Sequence, residues 1–201
     1  VALSIAASVS NTVDVGTAVI QVPLYHPADL AHRVLSLLQI CGRRLILGVG
    51  AGSTQNDFDA FGRRYASRFT DFTAAVTELR AFLETGRSGA TDLSPWPSLL
   101  GAPPIFFGSW GQGVVRAAKS FDGWIASGAY RTPEEVIAAL GRYREAGGGR
   151  AIVSTIQLRA GTDLGRLKAV LRQYADAGFD DAVVMFLPGG PTPAQVRALI
   201  G

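Results

Sequence analysis

The sequence predicts an α/β fold in which parallel strands alternate with crossover helices. Six short apolar or β-branched runs recur along the 201 residues, and each is followed by a segment with apolar residues at helical spacing. Helices between successive strands imply parallel pairing and right-handed crossovers. With 48% hydrophobic residues, the chain can bury the core of a single domain over residues 1–201.

Val1–Val9 reads as the end of a helix, not the start of a domain. Val13–Val22 is β-branched and nearly continuous, as expected of a buried parallel strand, and Pro23 stops it. A helix then starts at His26-Pro27-Ala28-Asp29, with proline in its first turn and an acid near its positive end. Leu30, Val34, Leu37 and Leu38 form its apolar face, and Gly42 ends it. The strand Leu45–Val49 follows, and Thr54–Gly62 reads as a polar connection. Arg64–Thr85 is a long amphipathic helix with Phe69, Phe72, Val76, Leu79 and Phe82 at steps of three and four. Gly86–Ala102 is a loop rich in Gly, Ser and Pro. In it Trp96 reads as a packing plug, with a substrate-facing role as the alternative.

Pro104–Phe107 is a short strand that leads into Gly108-Ser109-Trp110-Gly111-Gln112-Gly113 and a helix through Val114, Val115, Ala117 and Ala118. Asp122–Ala126 is the next strand. Thr132-Pro133-Glu134-Glu135 is a capping box at the head of a helix carrying Val136, Ile137, Leu140 and Tyr143. Ala151–Leu158 is a strand, and the helix with Leu164, Leu167, Val170, Leu171 and Tyr174 ends at Gly178. Asp181–Leu187 is the last strand, and Thr192–Gln195 caps a final helix with Val196, Leu199 and Ile200 inside.

Two architectures fit this order: a doubly wound open sheet or a (β/α) barrel. A complete eight-unit barrel takes about 250 residues. The simplest account is the (β/α)8 TIM-barrel type in incomplete form, with about six units present and the first two missing. The chain opens on Val1 and its only methionine is Met185, as expected if the initiator is removed or if the sequence is part of a longer chain.

Composition narrows the function. Charged residues make up 17% of the chain, net charge is +3, and no basic run is interleaved with aromatics, so no nucleic-acid partner is expected. One cysteine, Cys41, rules out an internal disulfide framework and a cysteine-based metal site, and it reads as a buried small apolar residue. His26 and His32 are too few for a histidine-rich zinc site. No stretch approaches about 18 uninterrupted apolar residues, and the start lacks a basic segment, so a soluble, cytoplasmic protein is expected.

Two stretches carry chemistry. In Arg44–Gly62 an apolar run passes into Gly48, Gly50 and Gly52, which leaves backbone open to close approach at a strand's carboxyl end, where α/β folds place ligands. The bland reading is a core strand with a tight turn. In Gly108–Gly113 a strand, a Gly/Ser loop and a helix start make a potential phosphate site, because free N–H groups and the helix dipole favour an anion there. A glycine-rich helix entry without a ligand is its alternative. The stretch is neither GxGxxG nor a Walker loop.

Several of these residues, taken in order, resemble the bacterial luciferase-like monooxygenases. Gly16–Val19 through Pro23 to His26-Pro27 is similar to that family's third strand and following helix, and Gly42–Gly52 to its fourth strand. Asp57-Phe58 to Phe61-Gly62, Arg68, Pro104–Gly108, Arg116–Ala118 and Asp122–Ile125 continue the likeness. Beyond Ile125 only the architecture and Gly189-Gly190-Pro191 support it. The resemblance implies a (β/α)8 barrel that binds FMN or the deazaflavin coenzyme F-420 at the strands' carboxyl ends and transfers hydride or activates O2 on a small organic substrate. It implies a non-prolyl cis peptide at Ala18-Val19, beside Thr17 and behind the flavin ring. It also implies a phosphate cradle from Gly108, Ser109, Gly111, Gln112 and Gly113, and a neighbouring edge from Gly50, Ala51, Gly52 and Ser53.

The chain departs from the family at Ala51, where the luciferase carries an arginine that meets the flavin phosphate. His26 belongs to a structural His-Pro pair, and no residue stands out as the general base. The alternative function is a non-catalytic flavin-binding or structural remnant of the same fold. A phosphate-binding aldolase or isomerase is disfavoured by the lack of a strand-end lysine or carboxylate pair. Open sheet edges need covering, so a homodimer is expected, with no membrane partner.

Overall fold

In the computed structural model, which describes residues 2–101 and 103–200, the chain forms two compact units that meet in sequence at Ile105/Phe106. Val1 and Ala102, at the ends of two expected segments, and the side chain of Ile200 lie outside the described residues.

The first unit starts with helix α1 (Ala2–Val9) and two short strands, β1 (Val15–Gly16) and β2 (Ile20–Gln21). The continuous strand expected over Val13–Val22 is therefore broken. The backbone leaves the ladder at Thr17–Val19, where the Ala18–Val19 peptide is cis, as the family resemblance implies, and Val13 is exposed. A 3-10 turn (Val22–Leu24) leads to α2 (Pro27–Cys41). His26 caps this helix, its Nδ1 accepting from the Ala28 N–H at 3.2 Å, so His26 is structural. Gly42 caps the other end. Strand β3 (Leu45–Gly50) is buried at all six positions, which accounts for its unbroken apolar sequence. It pairs in parallel with β1 through Val15–Leu45 and with β2 through Ile20–Val49 and Gln21–Gly50.

The expected polar connection after β3 contains a short helix, α3 (Gln55–Ala60), whose Phe58 is fully buried. Helix α4 (Arg68–Thr85) packs on α2. Phe72, Val76, Leu79, Phe82 and Leu83 of α4 and Leu30, Ala31, Val34, Leu35 and Leu38 of α2 are buried. Each large side chain among them contributes about 1.5–3 kcal/mol. Phe69, expected on this face, is 60% exposed: it shares the stripe of Phe72 and Val76 but lies in the first turn of α4, where the Arg68 guanidinium covers its ring at 4.2 Å. The expected loop after α4 holds a small antiparallel hairpin, β4 (Arg87–Ser88) with β5 (Thr91–Asp92), and a 3-10 turn (Pro97–Leu99). Trp96 is 62% exposed, so it is not a packing plug; the flanking prolines hold its backbone extended, away from the core. The chain then passes Pro104, whose carbonyl accepts from Leu47 N–H of β3 at 3.0 Å.

Strand β6 (Ile105–Gly108) opens the second unit, followed by α5 (Gln112–Ser120), β7 (Gly123–Ser127), α6 (Pro133–Glu145), β8 (Arg150–Leu158), α7 (Leu164–Ala177), β9 (Asp181–Phe186) and α8 (Pro193–Ile200). The strands run side by side in sequence order and pair in parallel, Phe107 with Trp124, Ile125 with Ile152 and Val153 with Ala182. Fully buried Trp124 lies 5.5 Å from the Tyr143 ring and 6.0 Å from the Phe179 ring. The Thr132–Glu135 capping box forms in both directions, and Asp163 and Gly178 cap α7. The β8–β9 register shifts between Val153 and Ile156, where Thr155 has φ +61° and the buried Ser154 hydroxyl donates to the Ala126 carbonyl. This bulge interrupts a run that reads as a regular strand.

Candidate functional site

In the first unit, pairing of β1 and β2 with β3 brings Thr17, Ala18 and Val19 alongside the strand that ends at Gly50. Thr17 is held twice. Its N–H donates to the Ile46 carbonyl at 3.2 Å and its hydroxyl to the Gly48 carbonyl at 2.8 Å. Ala18 is exposed, whereas Gly50 and Ala51 are buried. Ala51 thus faces the interior, at a position where the resemblance expects a cation in the luciferase.

The turn after β3 is braced by Gln21 and Tyr65, which the sequence does not single out, together with Asp57, Phe58 and Arg68 of the family likeness. Gln21 Nε2 donates to Asp57 Oδ2 at 2.7 Å, tying the end of β2 to α3. Gly52 has φ +85°, and a Cβ there would lie 2.6 Å from Gln21 Oε1 and 2.7 Å from the Phe58 ring, so only glycine fits. The Tyr65 hydroxyl donates to the Ser53 carbonyl at 3.0 Å. The Arg68 guanidinium lies 3.9 Å from the Tyr65 ring centroid and 4.2 Å from that of Phe69, and Arg68 Nη1 donates to the Tyr65 carbonyl. No short spacing announces this set: Gln21–Asp57 spans 36 residues.

In the second unit, Gly108 closes β6, Ser109 and Gly111 form the turn, and Gln112 and Gly113 belong to the first turn of α5. Gly111, the N-cap, has φ +61° and no side chain to satisfy the helix's first N–H groups. Two N–H groups are satisfied locally, Gly113 to the Trp110 carbonyl at 3.0 Å and Val114 to the Gly111 carbonyl at 3.3 Å. The helix has no acidic residue in its first turn. A Cβ on Gly113 would lie 2.8 Å from Ser109 Cβ, so glycine is needed for the turn to fold over Ser109. Buried Trp124 donates its Nε1–H to the Ser109 carbonyl at 3.1 Å, anchoring the turn to β7. The Ser109 hydroxyl is shielded from solvent and has no hydrogen-bond partner among the described residues.

This arrangement suits an anion. A glycine turn, a helix N-terminus with its dipole, and an orphaned hydroxyl converge on one point of the chain. A buried hydroxyl without a partner costs about 1–3 kcal/mol, which a bound acceptor would recover. A phosphate-bearing cofactor fits these residues. Elsewhere, burial pushes the Cys41 thiol up, which agrees with its reading as inert. No helix among the described residues is long and apolar enough to cross a membrane.

The model of a family described as luciferase-like monooxygenase matches residues 1–157. The F420-dependent hydroxymycolic acid dehydrogenase of Mycobacterium tuberculosis is 30% identical over 135 residues, covering 62% of this chain and 37% of that protein. Among solved structures, the coenzyme F420-dependent tetrahydromethanopterin reductase of Methanopyrus kandleri superposes with TM-score 0.77 at 15% identity, over 98% of this chain and 84% of that one. The oxygenating constituent of 3,6-diketocamphane monooxygenase from Pseudomonas putida, in complex with FMN, superposes with TM-score 0.59 at 18% identity, over 88% and 64%. The structural likeness shows the fold, α/β of the (β/α)-barrel type. The chain spans less than half the length of the curated relatives it matches.

Proposed function

The chain belongs to the luciferase-like monooxygenase family, and on that premise we propose that it is an oxidoreductase that binds a flavin or deazaflavin cofactor and acts on a small organic substrate. The observation that carries this reading is the orphaned Ser109 hydroxyl in the glycine turn before α5. A flavin or deazaflavin phosphate would accept from Ser109 and from the N–H groups of the Gly108–Gly113 turn, while the Trp124 indole holds the turn in place.

When bound, such a cofactor supplies hydride transfer or, in reduced form, activation of O2. The chain's own part is to bind and orient it. Thr17, Ala18 and Val19, with Gly50, Ala51, Gly52 and Ser53, are the proposed lining of the cofactor in the first unit. The Thr17–Gly48, Gln21–Asp57 and Tyr65–Ser53 hydrogen bonds keep that backbone fixed. Such preorganisation means that little ordering is lost on binding.

Titration of the full chain with FMN, and separately with coenzyme F420, followed by cofactor fluorescence, tests the reading. Saturable binding of one of them is expected. If neither binds saturably, the chain is not a cofactor-bearing oxidoreductase.

A further inference from the structure

We propose that Arg131 is a phosphate-binding residue, held over Trp110 so that it meets the anion at the Gly108–Gly113 turn. The inference rests on the cofactor reading above and assigns a charge to it. The turn itself offers only N–H groups, a hydroxyl and the partial charge of a helix N-terminus, and no full positive charge to set against a phosphate.

Arg131 lies on the link between β7 and α6, immediately before the capping residue Thr132. Its guanidinium carbon is 4.4 Å from the centroid of the Trp110 ring. Trp110 is part of the turn: it sits between Ser109 and Gly111, and its carbonyl accepts from Gly113 N–H. The cation is therefore delivered to the segment that carries the orphaned hydroxyl.

Among the described residues Arg131 has no carboxylate partner. Other arginines do form ion pairs, among them Arg33 with Asp29, Arg87 with Asp92, Arg144 with Asp180 and Arg150 with Asp181. An exposed guanidinium over an indole face is attracted to the ring and keeps its N–H donors free in its own plane. Those donors suit two oxygens of one phosphate. Arg116, on α5, lies over the Phe107 and Phe121 rings, at 5.7 and 6.0 Å.

The test compares phosphorylated with phosphate-free ligands in the wild-type chain and the R131K, R131A and R131E chains. FMN is set against riboflavin, and F420 against its phosphate-free 7,8-didemethyl-8-hydroxy-5-deazariboflavin core, so that a monoester and a diester phosphate are read separately. R131A is expected to weaken the phosphorylated ligand about tenfold and R131E more, with R131K in between, and to flatten the salt dependence. Binding of the phosphate-free forms stays unchanged. Equal affinity of R131E and wild type for both phosphorylated ligands would overturn the assignment, as would an equal loss for the phosphate-free forms. A wild type that binds but does not prefer the phosphorylated forms overturns the phosphate cradle and this assignment with it. A wild type that binds no cofactor overturns the functional reading itself. Arg131 is exposed and outside α6, and matched thermal melts of the four chains separate affinity from folding.

Discussion

Ser109 carries a hydroxyl that the folded chain shields from water without bonding it, while Trp124 fixes the carbonyl of the same residue. Stability and binding should therefore pull in opposite directions at this position. Ser109→Ala removes an unsatisfied donor, so the ligand-free chain is expected to hold or gain up to about 1 kcal/mol in urea unfolding. The same change deletes one donor to the phosphate, so affinity for the preferred cofactor is expected to drop about threefold to tenfold. A variant that loses stability and affinity together would show that the hydroxyl is bonded in the folded chain. Ser109 is legible in the sequence from its place in a Gly/Ser turn before a helix, a local signal. Gln21 is not, because its partner Asp57 and the tight Gly52 turn meet it only after β2 pairs with β3.

Helices α6 and α7 show how far local chemistry sets an element. Thr132, Pro133 and Glu135 start α6 in the reciprocal pattern that their spacing predicts, and Gly178 ends α7 in the left-handed conformation. What ties these ends together is less local. Arg144 Nη2, in the last turn of α6, donates to the Gly178 carbonyl at 2.7 Å and to Asp180 Oδ2 at 2.9 Å. Asp180 Oδ2 also accepts from Ala151 N–H at the start of β8, at 2.7 Å. Burial pulls the Asp180 carboxyl up, but the Ala151 bond and Arg144 outweigh it and hold the group below its ordinary value. A carboxyl depressed in the folded state stabilises the fold above its unfolded pKa, about 3.9, and that contribution fades as pH falls through the folded value. The pair is partly open to solvent, at 36% and 43% side-chain exposure, so screening keeps its worth small. Asp180→Asn is expected to cost about 1 kcal/mol in urea unfolding at neutral pH, a deficit that shrinks as pH falls below the ordinary carboxylate value. A deficit that persists unchanged in acid would mean that charge is not the cause.

For the molecule as a whole, β9 is the exposed feature. It pairs with β8 only, among the described strands, and Val183, Met185 and Phe186 are 45%, 41% and 43% exposed. A run as apolar as Ala182–Phe186 reads as a buried strand, and one side of it does pack: Val184 meets the cluster of Leu158, Leu167 and Val196. An apolar strand with an open edge invites pairing with another strand. We expect the purified chain to self-associate, with apparent mass in light scattering rising with concentration. Lysine at Val183 and Met185 should return it to a monomer, since charges blunt an open edge. A wild type that stays monomeric at every concentration would leave the edge covered by some other part of the protein.

The sequence by itself determined the alternation of strands and helices, the caps at His26, Thr132 and Gly178, the glycine turn at Gly108–Gly113, and the family to which they point. The elements, caps and turn depend on residues within a few positions of one another, where propensity, capping and glycine geometry act directly, and the family likeness is the order of several such local motifs. Only the tertiary structure decided that Val13–Val22 breaks around Ala18, that α3 interrupts the polar connection, and that Phe69 and Trp96 face solvent. The Tyr65 tie to Ser53, the Gln21 brace on α3 and the Arg131 cation over Trp110 belong to the same class. Each of these depends on which distant segment a crossover places beside which strand, and a side chain's burial or partner follows from that placement and not from its neighbours along the chain.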